Sequence, residues 1–178
     1  YVDPEDMELT YVLPALVNFG GKNLKAIQLD MVWPDPTQVK QFRIENPDIE
    51  IILQVSVVAF REINLSLTQL LARIKEYGDS IDYALLDGRV GREMSLSHEL
   101  LFPFLSELSE RCPDLGLVVS GGLGPDSLYL VEPLVQQFPN ISIDAQGRIR
   151  HCRSLFAPVD WQMASEYLAR ACQMFELA

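Results

Sequence analysis

Five short apolar runs alternate along this chain with segments whose apolar residues recur at helical spacing. Each run is apolar almost throughout rather than at every second position, which is typical of strands buried on both faces of a parallel sheet. Parallel neighbours need a crossover, and the helical segments supply it. The predicted strands are Leu24–Val32, Ile49–Val57, Asp82–Gly88, Leu115–Gly121 and Ile141–Gly147. This α(βα)5 pattern predicts an α/β fold, either a doubly wound open sheet or part of a (β/α)8 barrel.

Local signals place the helices between these strands. Asp35-Pro36 and the capping box Ser66-x-x-Gln69 each predict a helix start, and Asp160 predicts the start of the last helix. Pro125 predicts a further start, and Asp3-Pro4 predicts one ahead of the first strand. No linker or low-complexity segment interrupts the series, so we expect residues 1–178 to form a single domain.

The charge balance of the chain excludes some classes of partner. Its 178 residues carry a formal net charge of −11, which argues against non-specific binding to nucleic acid or to an anionic membrane. No apolar run approaches the roughly 20 residues that a membrane helix needs. The cysteines (Cys112, Cys152 and Cys172) lack metal-type spacing, and the only histidines are His98 and His151. We therefore expect a cytoplasmic protein with no metal site.

Aspartate residues mark the ends of several predicted strands. Ligands of parallel α/β proteins bind at the carboxyl ends of the strands, and Asp30, Asp87 and Asp144 fall at three of these five ends. A buried carboxylate in such a position can act as a general acid or base. We interpret Asp30 and Asp144 as residues that accept backbone hydrogen bonds in loops, and Asp87 as the catalytic candidate.

Glycines follow the last two predicted strands. Gly121 and Gly122 come directly after one strand, and Gly147 closes the next. Because glycine has no Cβ, backbone N–H groups at these positions can approach a phosphate closely, with the amides of Leu123 and Arg148 as further donors. The helix predicted after the first turn would add its positive end. The alternative is that Gly121-Gly122 only makes a tight turn.

Arginines are concentrated on the same side of the predicted sheet. Six of the ten follow predicted strands: Arg61, Arg89, Arg92, Arg148, Arg150 and Arg153. A cationic rim in such an acidic chain suits an anionic small molecule, because arginine binds phosphate and carboxylate with two parallel hydrogen bonds.

The stretch LGLVVSGGLGPDSLYLVEPLVQQFPNISIDAQGRIR resembles the last two strand units of the phosphoribosylanthranilate isomerase family, whose seventh strand ends in Gly-Gly-Leu-x-Pro-(Glu/Asp). DYALLDG is similar to the sixth strand of that family, and AIQLD to the fourth. The resemblance runs in order from about Leu24 to Phe175. It implies a TIM-type barrel whose first strands are missing from this chain. It also implies an Amadori isomerisation of a sugar phosphate in tryptophan biosynthesis, without metal or organic cofactor.

The same resemblance implies roles for individual residues. Asp87 takes the position of the general acid, Gly121–Leu123 that of one phosphate loop, and Gly147 with Arg148 that of the other. Asp30 stands where the family has a histidine, and it is a candidate substrate-binding residue. The family's base is a cysteine in a Lys-Ile-Cys-Gly strand, which this chain lacks.

Two alternatives stay open on the sequence. QLDM is similar to a strand of the ribulose-phosphate 3-epimerases, but the paired histidines that bind their metal are absent. The missing cysteine base and the altered loops favour a non-catalytic barrel that keeps a phosphate site. An open barrel also exposes sheet edges, so we expect Leu24–Val32 to pair with upstream chain, with a helix or with a second subunit, which makes a homodimer possible.

Overall fold

The computed structural model describes residues 9–90, 95–154 and 156–177. Its helices are α1 (Leu9–Gly20), α2 (Pro36–Glu45), α3 (Val57–Glu62), α4 (Leu67–Tyr77), α5 (His98–Arg111), α6 (Glu132–Gln137) and α7 (Trp161–Glu176). Its strands are β1 (Ala26–Leu29), β2 (Glu50–Val55), β3 (Tyr83–Asp87), β4 (Arg89–Val90), β5 (Ser95–Leu96), β6 (Gly116–Ser120) and β7 (Ser142–Ile143). The helix start predicted at Asp3-Pro4 lies outside the described residues.

Five of the strands form one parallel sheet in the order β1-β2-β3-β6-β7, with helices flanking it. This is the sequential order that the alternating pattern predicts, so the α/β class and the parallel sheet are confirmed. Strands β4 and β5 form a separate antiparallel pair that the sequence did not indicate.

Tyr1–Leu85 and Leu108–Gly116 make up the first of two compact units. In it, β1 and β2 pair in parallel, with Ile27 opposite Ile51. The side chain of Asp82 accepts a hydrogen bond from the Ile51 amide at 2.7 Å and pairs with Arg43 of α2. This carboxylate therefore fixes the amino end of β2.

Leu86–Glu107 and Leu117–Ala178 make up the second unit. Here β6 and β7 pair in parallel, with Val119 opposite Ile143. The ring centroids of Phe102 and Phe138 lie 5.5 Å apart in a tilted arrangement. The largest fully buried aliphatic side chains of this unit are Leu86, Leu101, Leu105, Leu123 and Leu134.

Side-chain caps start three of the helices where the sequence predicts them. Asp35 accepts a hydrogen bond from the Thr37 amide, and Ser66 accepts one from the Gln69 amide. Asp160 accepts from both Gln162 and Met163, which starts α7. Within the described part of the chain, no helix is long and apolar enough to cross a membrane.

Several sequence expectations about the elements are wrong. The predicted strands Leu24–Val32 and Ile141–Gly147 extend only over Ala26–Leu29 and Ser142–Ile143. Pro125 does not start a helix, because Pro125–Ser127 form a turn, a 3₁₀ turn follows, and α6 begins only at Glu132. Ile49–Val57 is shorter as a strand than predicted, since the Ser56 hydroxyl accepts a hydrogen bond from the Ala59 amide and caps α3. A local cap thus overrides the β propensity of the valines that follow.

Helical spacing in the sequence predicts one apolar face for the last helix, and this face is only partly covered. Its residues are Ala164, Tyr167, Leu168, Ala171, Cys172 and Phe175. Ala171 is buried, as expected, but Leu168 is 63% exposed, and Cys172 is exposed as well. Helical periodicity therefore predicts α7 correctly. It does not predict which apolar side chains of α7 are buried.

Candidate functional site

Three neighbouring strands lead into the residues that the sequence singled out, and these residues all belong to the second unit. Asp87 is the last residue of β3, Gly121 and Gly122 follow β6, and Asp144 follows β7. The Gly88 amide donates a hydrogen bond to the Ser120 carbonyl at 2.9 Å, which joins the first two ends. Asp30, by contrast, is an exposed residue after β1 in the first unit.

Asp87 is held by one arginine. The carboxylate is 2% exposed, and the Arg89 Nε donates to its two oxygens at 2.9 and 2.8 Å. The Arg89 amide donates to the same carboxylate at 3.2 Å, and the guanidinium adds an ion pair. A Cβ on the intervening Gly88 would lie only 2.7 Å from Leu101, so glycine permits this close turn. The buried Asp87 carboxylate is therefore held next to the guanidinium that balances its charge.

Asp144 lies close enough to Asp87 for the two carboxyl groups to interact. Burial raises the pKa of Asp144 above its ordinary value, and the charge of Asp87 raises that pKa further. Two carboxyl groups whose environments differ in this way can divide acid and base roles between them. The sequence pattern by itself indicates only a loop residue at Asp144. Asp144 could have been recognised as a site residue because it follows β7, which is the next strand after the glycine turn.

Tyr167 of α7 completes this group of side chains. Its hydroxyl is buried and has no hydrogen-bond partner among the residues that the structure describes. Burial raises the pKa of the Tyr167 phenol, and the charge of Asp144 raises that pKa further. The helical pattern had marked Tyr167 only as part of an apolar face. We call Asp87, Arg89, Asp144 and Tyr167 the carboxylate cluster.

The glycine turn after β6 depends on its two glycines. Gly121 and Gly122 have φ values of 142° and 64°, which side-chain-bearing residues rarely adopt. The buried Ser127 hydroxyl accepts a hydrogen bond from the Gly124 amide at 2.9 Å and donates one to the Gly122 carbonyl at 3.0 Å. The tight-turn explanation therefore accounts for the glycines by itself. Since no helix starts at Pro125, the helix-end contribution expected here is absent from this turn.

The loops after β6 and β7 contact each other. A Cβ on Gly124 would lie 2.7 Å from the Cβ of Arg148, so the two backbones pack closely. Asp126 of the first loop lies 3.9 Å from Arg148 and 2.9 Å from Arg153 of the second. Gly147 begins a 3₁₀ turn there, Gly147–Ile149. The predicted phosphate-binding residues of the two loops are thus neighbours.

The remaining arginines of the predicted rim serve other contacts. Arg150 donates a hydrogen bond to the Ala157 carbonyl at 2.8 Å, and Arg61 lies on α3 of the first unit rather than in a loop. Arg92 lies outside the described residues. Among the described residues, the arginines that remain at this rim are those at positions 89, 148 and 153, and each of them contacts an aspartate.

The cysteines of the chain lie away from the strand ends. Cys112 follows α5, Cys152 lies in a 3₁₀ turn and Cys172 on α7, so none of the three follows a strand. Between residues 9 and 177, leaving aside 91–94 and 155, no group of three or more histidine, cysteine or acidic side chains could hold a metal ion.

The fold and the cluster define an α/β protein with a parallel sheet and interacting carboxyl groups at the carboxyl ends of its strands. No protein-family model matches the chain, and no curated protein matches it either. The resemblance to phosphoribosylanthranilate isomerases stays a prediction.

Proposed function

We propose that the chain is an acid–base enzyme of the (β/α)8-barrel type that isomerises a phosphorylated sugar derivative. The observation that carries this proposal is that Asp87 and Asp144 stand at the ends of the two strands on either side of the strand that ends in the glycine turn. An aldose–ketose isomerisation needs one group that gives a proton and one that takes a proton. The sequential strand order supports the barrel, and the resemblance of the sequence favours an Amadori rearrangement.

The contacts favour a particular division of roles. The resemblance assigns the acid to Asp87, but Asp87 is buried against Arg89, an ion pair that suits a carboxylate. Asp144 is the group whose pKa is raised, which suits a proton donor. We therefore assign the base to Asp87 and the acid to Asp144.

In this assignment each residue has one proton to move. Asp144 donates its proton to the ring oxygen, the bond between that oxygen and C1 breaks, and the nitrogen on C1 shares its electron pair to form an iminium ion. Asp87 then removes the proton from C2, which gives an enolamine that tautomerises to the aminoketose. Proton exchange with water restores both carboxyl groups.

Binding of the phosphate is the second part of the proposal. The loops that carry Gly121–Leu123 and Gly147–Arg148 are in contact, through Gly124 and Arg148. Neighbouring loops can surround one phosphate with backbone amides and a guanidinium. A phosphorylated substrate would then be anchored beside the carboxylate cluster of the same unit.

Single substitutions test the roles of the two aspartates. Turnover of phosphoribosylanthranilate is measured against pH for the native protein, Asp87→Asn, Asp144→Asn and, as a control, exposed Asp114→Asn. Each cluster variant is expected to lose about 10²–10⁴-fold in turnover, and the control none. Loss of the base should remove the acidic limb of the pH profile, and loss of the acid the alkaline limb. Native-like turnover in both cluster variants would contradict the proposal.

A non-catalytic phosphate-binding protein is the second candidate. The observation that favours it is that Arg89 contacts both oxygens of Asp87, which occupies the carboxylate that the reaction needs. In that case ribose 5-phosphate binds to the native protein and to Asp87→Asn with similar affinity, while phosphoribosylanthranilate is bound and not converted. Calorimetry and the turnover assay together separate the two candidates.

A further inference from the structure

Two arginines of the loop after β7 converge on one carboxylate of the loop after β6. The Asp126 oxygens lie 2.9 Å from Nη2 of Arg153 and 3.9 Å from Nη1 of Arg148. The side chain of Arg148 is 21% exposed, whereas those of Arg153 and Asp126 are 59% and 54% exposed. The Asp126 carboxylate is thus at the surface, whereas most of the Arg148 side chain is covered by the protein.

The backbone of the second loop is shaped to present these guanidinium groups. Cys152 and Arg153 have φ values of 53° and 54°, a left-handed conformation that consecutive non-glycine residues rarely adopt. A bridge between Arg150 and Val159 and a hydrogen bond from Arg150 to the Ala157 carbonyl close the loop. These contacts hold the disfavoured conformation in place, so the fold determines the backbone from which the Arg153 side chain extends.

Glycine fixes the position of the other arginine. Because Gly124 has no Cβ, the Cβ of Arg148 packs directly against the loop that carries Asp126. The neighbouring Ser127 ties that loop to Gly122 through its buried hydroxyl, while Asp126 itself is exposed. The carboxylate can therefore rotate away from the arginines without breaking the hydrogen bonds that hold the turn.

We propose that Arg148 and Arg153 form a clamp for the phosphate group of the substrate, and that Asp126 occupies this clamp until a phosphate displaces it. The inference rests on the proposed function and adds Arg153 and Asp126 to its binding site. A phosphate monoester has a larger negative charge and more acceptor oxygens than one carboxylate, so it can engage both guanidinium groups at once. Asp126 would keep weaker anions out of the clamp.

Anion titration of matched charge variants tests this inference. Inorganic phosphate and ribose 5-phosphate are titrated by calorimetry into the native protein, Asp126→Asn, Arg153→Gln and the double variant. Glu166→Gln is the control, since it also removes one negative charge and releases an arginine, Arg170, from its ion pair. Circular dichroism checks that each variant is folded.

The expected result is specific to the clamp. Asp126→Asn should bind both anions about two- to fivefold more tightly, the range that corresponds to removal of an exposed ion pair. Arg153→Gln and the double variant should bind more weakly than the native protein, and Glu166→Gln should bind as the native protein does. If Asp126→Asn binds these anions and the native protein does not, that result would also support the inference.

Three outcomes would overturn it. If the native protein binds phosphate and Asp126→Asn binds it equally well, Asp126 does not occupy the clamp, although the proposed function stands. If Glu166→Gln gains as much affinity as Asp126→Asn, the effect is one of net charge and not of the clamp. If no variant binds either anion, the clamp and the phosphate part of the proposed function both fail.

Discussion

Replacing Ser127 with alanine should show how far the glycine turn depends on one hydroxyl. Ser127 is 2% exposed, and its Oγ both accepts from the Gly124 amide and donates to the Gly122 carbonyl. Alanine fits the same space and removes these two hydrogen bonds, together with a longer contact of 3.4 Å from the hydroxyl to the Gly124 carbonyl. The change therefore tests polar satisfaction within the turn with little effect on its packing.

The burial of each partner sets the magnitude. Gly124 is buried, so its N–H would lose its hydrogen bond without gaining water, which costs about 1–3 kcal/mol. Gly122 is only half-buried, so its carbonyl can be hydrated in the variant. We expect Ser127→Ala to lower the free energy of unfolding by about 2 kcal/mol, or to lower Tm by about 4–8 °C for a chain of this size.

Urea unfolding followed by circular dichroism measures this loss. The control is Ser142→Ala, the same chemical change at an exposed position of β7, which should alter stability by no more than about 0.5 kcal/mol. An unchanged slope with urea would show that the surface exposed on unfolding is the same. If Ser127→Ala were as stable as the control variant, the turn would not depend on this hydroxyl and our reasoning would be refuted.

Three further predictions concern other residues of the same unit. Asp160→Ala should lower the free energy of unfolding by about 1 kcal/mol in urea, because α7 loses its cap, whereas Asp160→Asn should keep most of it. Tyr167→Phe should leave Tm unchanged or raise it, since the buried hydroxyl has no partner among the described residues; a large fall in Tm would contradict this. The raised pKa of Asp144 means that its contribution to stability is present at low pH and is lost as the pH rises through that pKa. Asp144→Asn, which does not ionise, should therefore gain stability relative to the native protein as the pH rises above about 4, the ordinary pKa of an aspartate, in urea titrations; equal pH dependence of the two would exclude this.

Much of the fold could be predicted because its signals are local. The continuous apolar runs required strands buried on both faces, and single polar side chains at positions 35, 66 and 160 determined where three helices begin. The start of α6 could not be predicted in this way. Pro125 is compatible with a helix start and with a turn, and the contacts of Ser127 select the turn.

The candidate site, too, could be predicted from the sequence only in part. The sequence by itself determined which residues stand at the carboxyl ends of the strands, because strand ends follow from the apolar pattern, and it singled out Asp87 and the glycine pair. Only the tertiary structure decided which of these ends are neighbours. The strand order brings Asp87 and Asp144 to either side of the glycine turn, and the fold sets Arg89 against one carboxyl and Tyr167 near the other. The physical reason is that a pKa depends on burial and on the distance to other charges, and residues 57 positions apart in sequence acquire both only when β3 and β7 join the same sheet.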